Sequence, residues 1–196
     1  MRYDVEGRSP EWYALRKGRL TASDFAAAIG ISPYCSRPQL WRYMTGRQER
    51  EQSNPRMDWG VENEVNALNW YECETGEIVL PGGFWTHDDH DWLGASPDGE
   101  HTDDQWIVEA KCPAEIHKEV PEHYRCQMQG QLEITGKDGC SFISWTPSGG
   151  EWFPVLRDKD YWAWMRPFLE EFWFFVQTDK EPPRLKAKPV YQPRKQ

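Results

Sequence analysis

The rhythm of apolar and polar positions changes near residue 76. Before it, the punctuation is helical. Ser9, Pro10 and Glu11 read as an N-cap, a first-turn proline and an early acid, opening a short helix through Trp12 and Leu15 that stops near Gly18. Thr21-Ala-Ser-Asp24 has capping-box-like spacing ahead of the apolar run 25–29, and Gly30 supplies a stop. A third helix is expected over about 37–45, closed by Gly46. Residues 47–56 are polar and read as a loop, and the longest helical stretch follows over 57–75, ended by Gly76. Beyond it the segments shorten. Stretches 77–80, 83–87 and 92–95 are aromatic or β-branched between Gly, Pro and Asp clusters, and read as strands. Another strand is expected over 105–111, stopped by Pro113, then a helix over 121–135 with Pro121 at its start and Gly136 at its end. Stretches 140–146 and 152–156 read as a hairpin, and Asp158 caps a last, aromatic helix to about Gln177 that Pro167 could kink. The pattern describes one α/β (α+β) domain over residues 1–179, a mixed sheet flanked by helices. A Pro- and Lys-rich basic tail, 180–196, is expected to be mobile.

Composition narrows the class. At 196 residues a single domain is the natural reading, and 12 tryptophans with 14% aromatics provide bulk for a core, which excludes wholesale disorder. No apolar run reaches the roughly 18–20 residues of a membrane span, and the first twelve residues lack a signal-peptide core, so a soluble, intracellular protein is expected. Five cysteines without a C-x-x-C pair point to reduced thiols, not to a disulfide framework or a cysteine zinc site. The net charge of −9 is unevenly spread. Residues 1–60 carry 10 basic and 7 acidic side chains, residues 61–179 carry 7 and 24, and residues 180–196 carry 6 and 1. That fits a polyanion approached from the N-terminal third and the tail. An acidic middle that is merely solvated fits as well, as does a carboxylate cluster awaiting a divalent cation.

Candidate chemistry concentrates in Ser96-Pro-Asp98-Gly99 and, ten residues on, Glu109-Ala-Lys111. Alternation along a strand puts Glu109 and Lys111 on one face and Trp106, Val108 and Ala110 on the other. A hairpin would bring Asp98 alongside Glu109. Two carboxylates that close repel unless a cation lies between them, and Mg²⁺ or Mn²⁺ with oxygen ligands, the Ala110 carbonyl among them, resolves this. Lys111 would then orient or help deprotonate a water while the metal stabilises charge on a phosphate. An isolated E-x-K is also a common surface pair. His87-Asp-Asp-His90 offers two imidazoles but no third ligand at useful spacing, so no zinc site is expected there.

Five blocks in order resemble the lambda exonuclease and YqaJ-type viral recombinase nucleases, a branch of the PD-(D/E)xK superfamily. They begin Trp12-Tyr-Ala-Leu-Arg16-Lys-Gly18-Arg-Leu-Thr21-Ala-Ser23-Asp and Gly60-Val-Glu-Asn-Glu64-Val-Asn-Ala67. They continue Gly94-Ala-Ser-Pro-Asp98-Gly99, Glu109-Ala-Lys111-Cys-Pro113 and Tyr124-Arg-Cys-Gln127-Met-Gln129. The resemblance implies a restriction-endonuclease-like core with Asp98, Glu109 and Glu64 as metal ligands, Lys111 as catalytic lysine and Gln127 beside the metal. It places Arg16 and Ser23 at a 5′-phosphate pocket and Met57 as a wedge at the terminal base pair. Each has a plainer reading: a solvated helix acid for Glu64, an ordinary capping turn for Ser23, a polar core contact for Gln127 and Gln131, and core packing for Met57. The activity implied is Mg²⁺-dependent 5′→3′ degradation of one strand of linear duplex DNA to mononucleotides, leaving a 3′ overhang for annealing recombination. It further implies a ring-shaped homotrimer, a single-strand annealing protein as partner, and a phage- or prophage-encoded chain in the host cytoplasm. The alternatives are a restriction-like or structure-specific endonuclease and a non-catalytic scaffold on DNA ends. The final aromatic helix is read as core, or as core plus a subunit interface.

Overall fold

A computed structural model describes residues 1–50 and 54–193. In chain order the first elements are β1 (Arg2–Tyr3), α1 (Pro10–Arg16), β2 (Leu20–Thr21), α2 (Ala22–Ala28), α3 (Arg37–Met44) and α4 (Pro55–Thr75). The strands β3 (Val79–Leu80), β4 (Phe84–Thr86), β5 (Leu93–Ala95), β6 (Gly99–His101) and β7 (Trp106–Lys111) follow. The chain then forms α5 (Glu122–Thr135), β8 (Gly139–Thr146), β9 (Gly149–Leu156) and α6 (Lys159–Gln177).

The mixed α/β class holds, but the strands divide between two sheets where the sequence suggests one. The larger runs β3-β6-β7-β8-β9 and the smaller β1-β4-β5-β2. β7 and β8 pair in parallel, from Trp106 opposite Gly139 to Lys111 opposite Ser144. A parallel pair needs a crossover, and α5 is that crossover. β6 pairs antiparallel with β7, Gly99 opposite Val108. A hairpin does flank Asp98, but its first strand follows the Pro-Asp-Gly turn, where the sequence shows none, while the expected partner 92–95 becomes β5 of the smaller sheet. In the smaller sheet β2 lies parallel to β5, Thr21 opposite Gly94, setting the Thr21–Ser23 segment beside the strand that leads into Ser96 and Asp98. β1, β2 and β6 have two or three residues each, too few to leave a periodicity in the sequence.

Helix starts follow local chemistry. Ser9 Oγ accepts the Trp12 N–H at 3.2 Å in α1. In α4, Asn54 Oδ1 accepts the N–H groups of Arg56 and Met57, both at 3.1 Å, with Pro55 in the first turn. The expected loop therefore ends sooner, and Met57 lies in a helix; residues 51–53 of that loop fall outside the described residues. α2 lies against α5, where Gly130 faces the Phe25 ring so closely that a Cβ would stand 2.4 Å from it. α6 runs through Pro167 and buries Tyr161, Trp162, Met165, Leu169 and Phe172 against this layer. Its aromatic surplus is thus largely spent inside, with Phe174 left exposed.

The tail is mostly exposed over 181–193 and touches the body at single points, with Pro182 buried and 194–196 outside the described residues. The Tyr191 ring packs, tilted, 4.8 Å from the Tyr161 ring and its hydroxyl donates to Asp158 Oδ2 at 3.0 Å. Arg42 pairs with Glu181 at 2.6 Å. Among the described residues no helix is long and apolar enough to cross a membrane.

Candidate active site

The β6–β7 hairpin does the first positioning. The Asp98 N–H donates to the Val108 carbonyl at 3.0 Å, and Asp98 Oδ2 accepts the Ala110 N–H at 2.8 Å. The Asp98 carboxylate is thereby tied to the strand that carries Glu109. Burial and the Glu109 charge push the Asp98 pKa well above the ordinary carboxylate value, against the pull of Lys111 and the Ala110 N–H.

Glu109 is buried, 1% exposed, and both of its oxygens are engaged from α5. Gln127 Nε2 donates to Oε1 and Gln131 Nε2 to Oε2, each at 2.6 Å. The i, i+4 spacing puts both amides on one helix face, and both contact Glu109, the candidate metal ligand. The Lys111 ammonium pairs with Glu109 Oε1 and lies 5.3 Å from the Tyr124 ring centroid. Burial opposes the lysine charge, but Glu109 and Asp98 outweigh it and raise its pKa above the usual lysine value. Burial also raises the Tyr124 hydroxyl, to about 12.

Glu64 projects from α4 within electrostatic reach of Asp98 and is ion-paired to Arg8. Arg8 has φ +66°, left-handed backbone that an arginine seldom adopts. No motif marked it in the sequence. Met57 is half-exposed on the first turn of α4. Seven residues are close to two turns, so Met57 and Glu64 share a face roughly 10 Å apart along the axis.

Arg16 and Ser23 come together. Arg16 Nη2 donates to Ser23 Oγ at 3.0 Å and to Thr21 Oγ1 at 2.9 Å, while its guanidinium lies over the Trp12 ring at 4.3 Å. Burial lowers the Arg16 pKa, Asp24 opposing. The neighbouring Arg50 grips both oxygens of Asp24, at 3.1 and 2.7 Å, and had no signal in the sequence. Trp12 Nε1 donates to Ser96 Oγ at 2.7 Å, and Ser96 in turn donates to the Gly83 carbonyl. The helix carrying Arg16 is therefore anchored two residues from Asp98.

The Asp98 and Glu109 carboxylates and the Ala110 carbonyl are hard oxygen donors, the type that Mg²⁺ or Mn²⁺ takes alongside water and phosphate. Within the protein Glu109 pairs with Lys111 and Glu64 with Arg8. Among the described residues no three His, Cys, Asp or Glu side chains converge on one point, with Glu64 turned to Arg8. The His87 and His90 rings lie 4.9 Å apart, and His87 accepts the Asp89 N–H.

Comparison with known proteins matches residues 11–138 to the YqaJ-like viral recombinase domain. An alkaline exonuclease (LHK-Exo) from Laribacter hongkongensis superposes with TM-score 0.76 at 27% identity over 87% of this chain and 94% of its own. Its complex with dAMP gives 0.78 at 30% identity over the same shares. A phage-related exonuclease from Haemophilus somnus shares the fold, with TM-score 0.66 at 12% identity over 82% of this chain and 94% of its own. No curated protein sequence matches.

Proposed function

The chain belongs to the YqaJ-like viral recombinase family, a family of nucleases, and from that premise we propose a Mg²⁺-dependent 5′→3′ exonuclease acting on the ends of double-stranded DNA. It degrades one strand to mononucleotides and leaves a 3′ overhang for annealing recombination. The observation that carries this is Asp98 tied through the Ala110 N–H to the strand that presents the Glu109–Lys111 pair, with Glu109 held by α5 and the turn anchored through Trp12 and Ser96 to the Arg16–Ser23 pair.

Asp98, Glu109 and the Ala110 carbonyl, with Glu64, would hold the divalent ion, and Mn²⁺ could substitute at such oxygen donors. Bound there, the ion supplies charge stabilisation at the phosphate and a more acidic water. Gln127 and Gln131 fix the direction of the Glu109 oxygens. Lys111 donates hydrogen bonds from the rim of the cluster and orients the attacking water or a phosphate oxygen. Arg16 and Ser23 hold the 5′-phosphate of the end being cut, which sets the polarity. Met57, on the same face of α4 as Glu64, serves as the wedge at the terminal base pair. The dAMP complex of the Laribacter enzyme supports a nucleoside monophosphate as product.

The assembly is a homotrimeric ring in the host cytoplasm that hands its 3′ strand to a single-strand annealing protein. Apolar side chains exposed on α4 (Val61 and Val65), on β9 (Trp152 and Leu156) and on α6 (Phe174) support subunit contacts there. Light scattering should give about three times the 23.1 kDa protomer.

The decisive assay uses linear duplex labelled at a 5′ end bearing phosphate or hydroxyl. Mg²⁺-dependent release from phosphorylated ends, blocked by EDTA, lost in Lys111→Ala and absent on closed circles, is expected. Cutting of closed circles would reassign the protein as an endonuclease. Binding without cutting would make it a scaffold.

A further inference from the structure

A cavity of about 320 Å³ lies between the start of α3 and the C-terminal segment. Tyr34, Ser36 and Arg37 line it from one side, Arg184, Leu185 and Lys188 from the other. Its lining contains three cationic side chains and no carboxylate, in a chain of net charge −9. Such a concentration of one sign attracts an anion.

Arg37 gives the cavity its chemistry. The residue is 2% exposed, and Nη2 donates to Glu171 Oε2 at 2.7 Å. Among the described residues the buried Nε and Nη1 find no acceptor. Guanidinium N–H groups left unpaired in an interior are costly, and buried donors nearly always find a partner. Glu171 engages Nη2, the nitrogen common to both forked edges, and leaves Nε and Nη1 on separate edges, each waiting for a single acceptor. A phosphate oxygen meets one of them by a charge-assisted hydrogen bond. Ser36, the N-cap of α3, makes no side-chain capping bond, and the positive end of an eight-residue helix opens at the same place. The Leu185 side chain and Arg37 Cδ both lie against Gly30, on the wall that α3 and the C-terminal segment share.

The cavity also stands close to the candidate active site. The Tyr34 ring lies 5.5 Å from His123, His123 lies 4.1 Å from Tyr124, and Tyr124 lies under the Lys111 ammonium. We propose that this cavity is a second phosphate-binding site, distinct from the Arg16–Ser23 pair. It takes one phosphate group, either from the backbone of the duplex engaged at Lys111 or from a free nucleotide. Only the duplex source rests on the nuclease reading.

The test is made on the metal-free protein in EDTA, so that cleavage plays no part. Variants are Arg184→Ala/Lys188→Ala, Arg37→Gln, and Lys186→Ala as a control on the same segment outside the cavity lining. Binding of 5′-hydroxyl and 5′-phosphorylated duplexes is measured at several salt concentrations, in these variants and in Arg16→Ala. Binding of inorganic phosphate and dAMP is measured calorimetrically in an Arg16→Ala background. If the duplex supplies the group, the double variant weakens DNA binding severalfold and flattens the salt dependence by about 0.9 per lost contact in log–log slope. The preference for a 5′-phosphate end then stays intact, and Lys186→Ala changes nothing. If a free nucleotide supplies it, the double variant keeps DNA affinity but loses the heat of phosphate and dAMP binding. Arg37→Gln should follow the double variant; should it fail to fold, the two surface substitutions decide alone. An unchanged double variant in both assays, or a Lys186→Ala effect as large as its own, would overturn the site. Loss of end preference in Arg16→Ala bears on the exonuclease reading alone.

Discussion

Asp98 stands where a negative charge is costly, because burial and Glu109 both oppose its ionisation. A carboxyl whose pKa is raised on folding favours the fold while protonated and loses that contribution as pH climbs through the raised value. In EDTA, Asp98→Asn should therefore melt higher than wild type at neutral pH, by roughly 2–4 °C per kcal/mol gained. The advantage should shrink below the ordinary carboxylate range, where Asp98 is protonated in both folded and unfolded chains. Asparagine retains an acceptor for the Ala110 N–H, so the hairpin survives. Added Mg²⁺ should raise the wild-type melting temperature and leave the variant unmoved, with cleavage abolished. Paired pH series of thermal melts check this, and a variant less stable at pH 7 would contradict it. At this scale the carboxylates and lysine were legible because alternation along one strand and a Pro-Asp-Gly turn fix their relation. Arg8 and Arg50 were not, since each reaches its acid across 26 or more residues by a long, flexible side chain.

Helices are placed where caps, prolines and glycines put them, and α1, α3, α5 and α6 follow those signals closely. Division of the strands into two sheets escaped them, because β1, β2 and β6 gain their pairing from distant partners and not from their own pattern. One contact between elements carries the site without touching it. Phe25 of α2 rests on Gly130 of α5, midway between the Gln129 and Gln131 positions of the helix that clamps Glu109. Gly130→Ala introduces a methyl group that this contact cannot accommodate. Overpacking of this kind costs about 1–3 kcal/mol, some 2–12 °C of melting temperature in a domain this size. Because α2 also presents Ser23, cleavage at 5′-phosphorylated ends should fall at temperatures where the variant is still folded. Melting curves beside initial rates test this, and a fully active variant with wild-type stability would show that α2 and α5 have room to separate.

Across the whole molecule, charge and packing pull the C-terminal segment into two roles that can be separated. Its basic side chains give residues 180–196 an excess of positive charge, as a DNA-facing segment requires, while Tyr191 anchors it against Tyr161, Trp164 and Asp158. The sequence displayed the charge but not the anchor, since one tyrosine among prolines and lysines has no periodicity to announce burial. Tyr191→Ala should cost about 3–5 kcal/mol if the ring behaves as a buried aromatic, and less in proportion to its partial exposure. The charge of the segment is untouched by that change, so DNA affinity at low salt should hold to within about twofold as long as the protein is folded. Removing residues 181–196 deletes the anchor and the cations together. It should lower the melting temperature at least as far as Tyr191→Ala and also reduce the salt sensitivity of DNA binding. Melting temperature and salt slope measured on both proteins separate the roles. Equal salt slopes in the truncated and full chains would leave the segment a structural strap whose positive charge serves no contact with DNA.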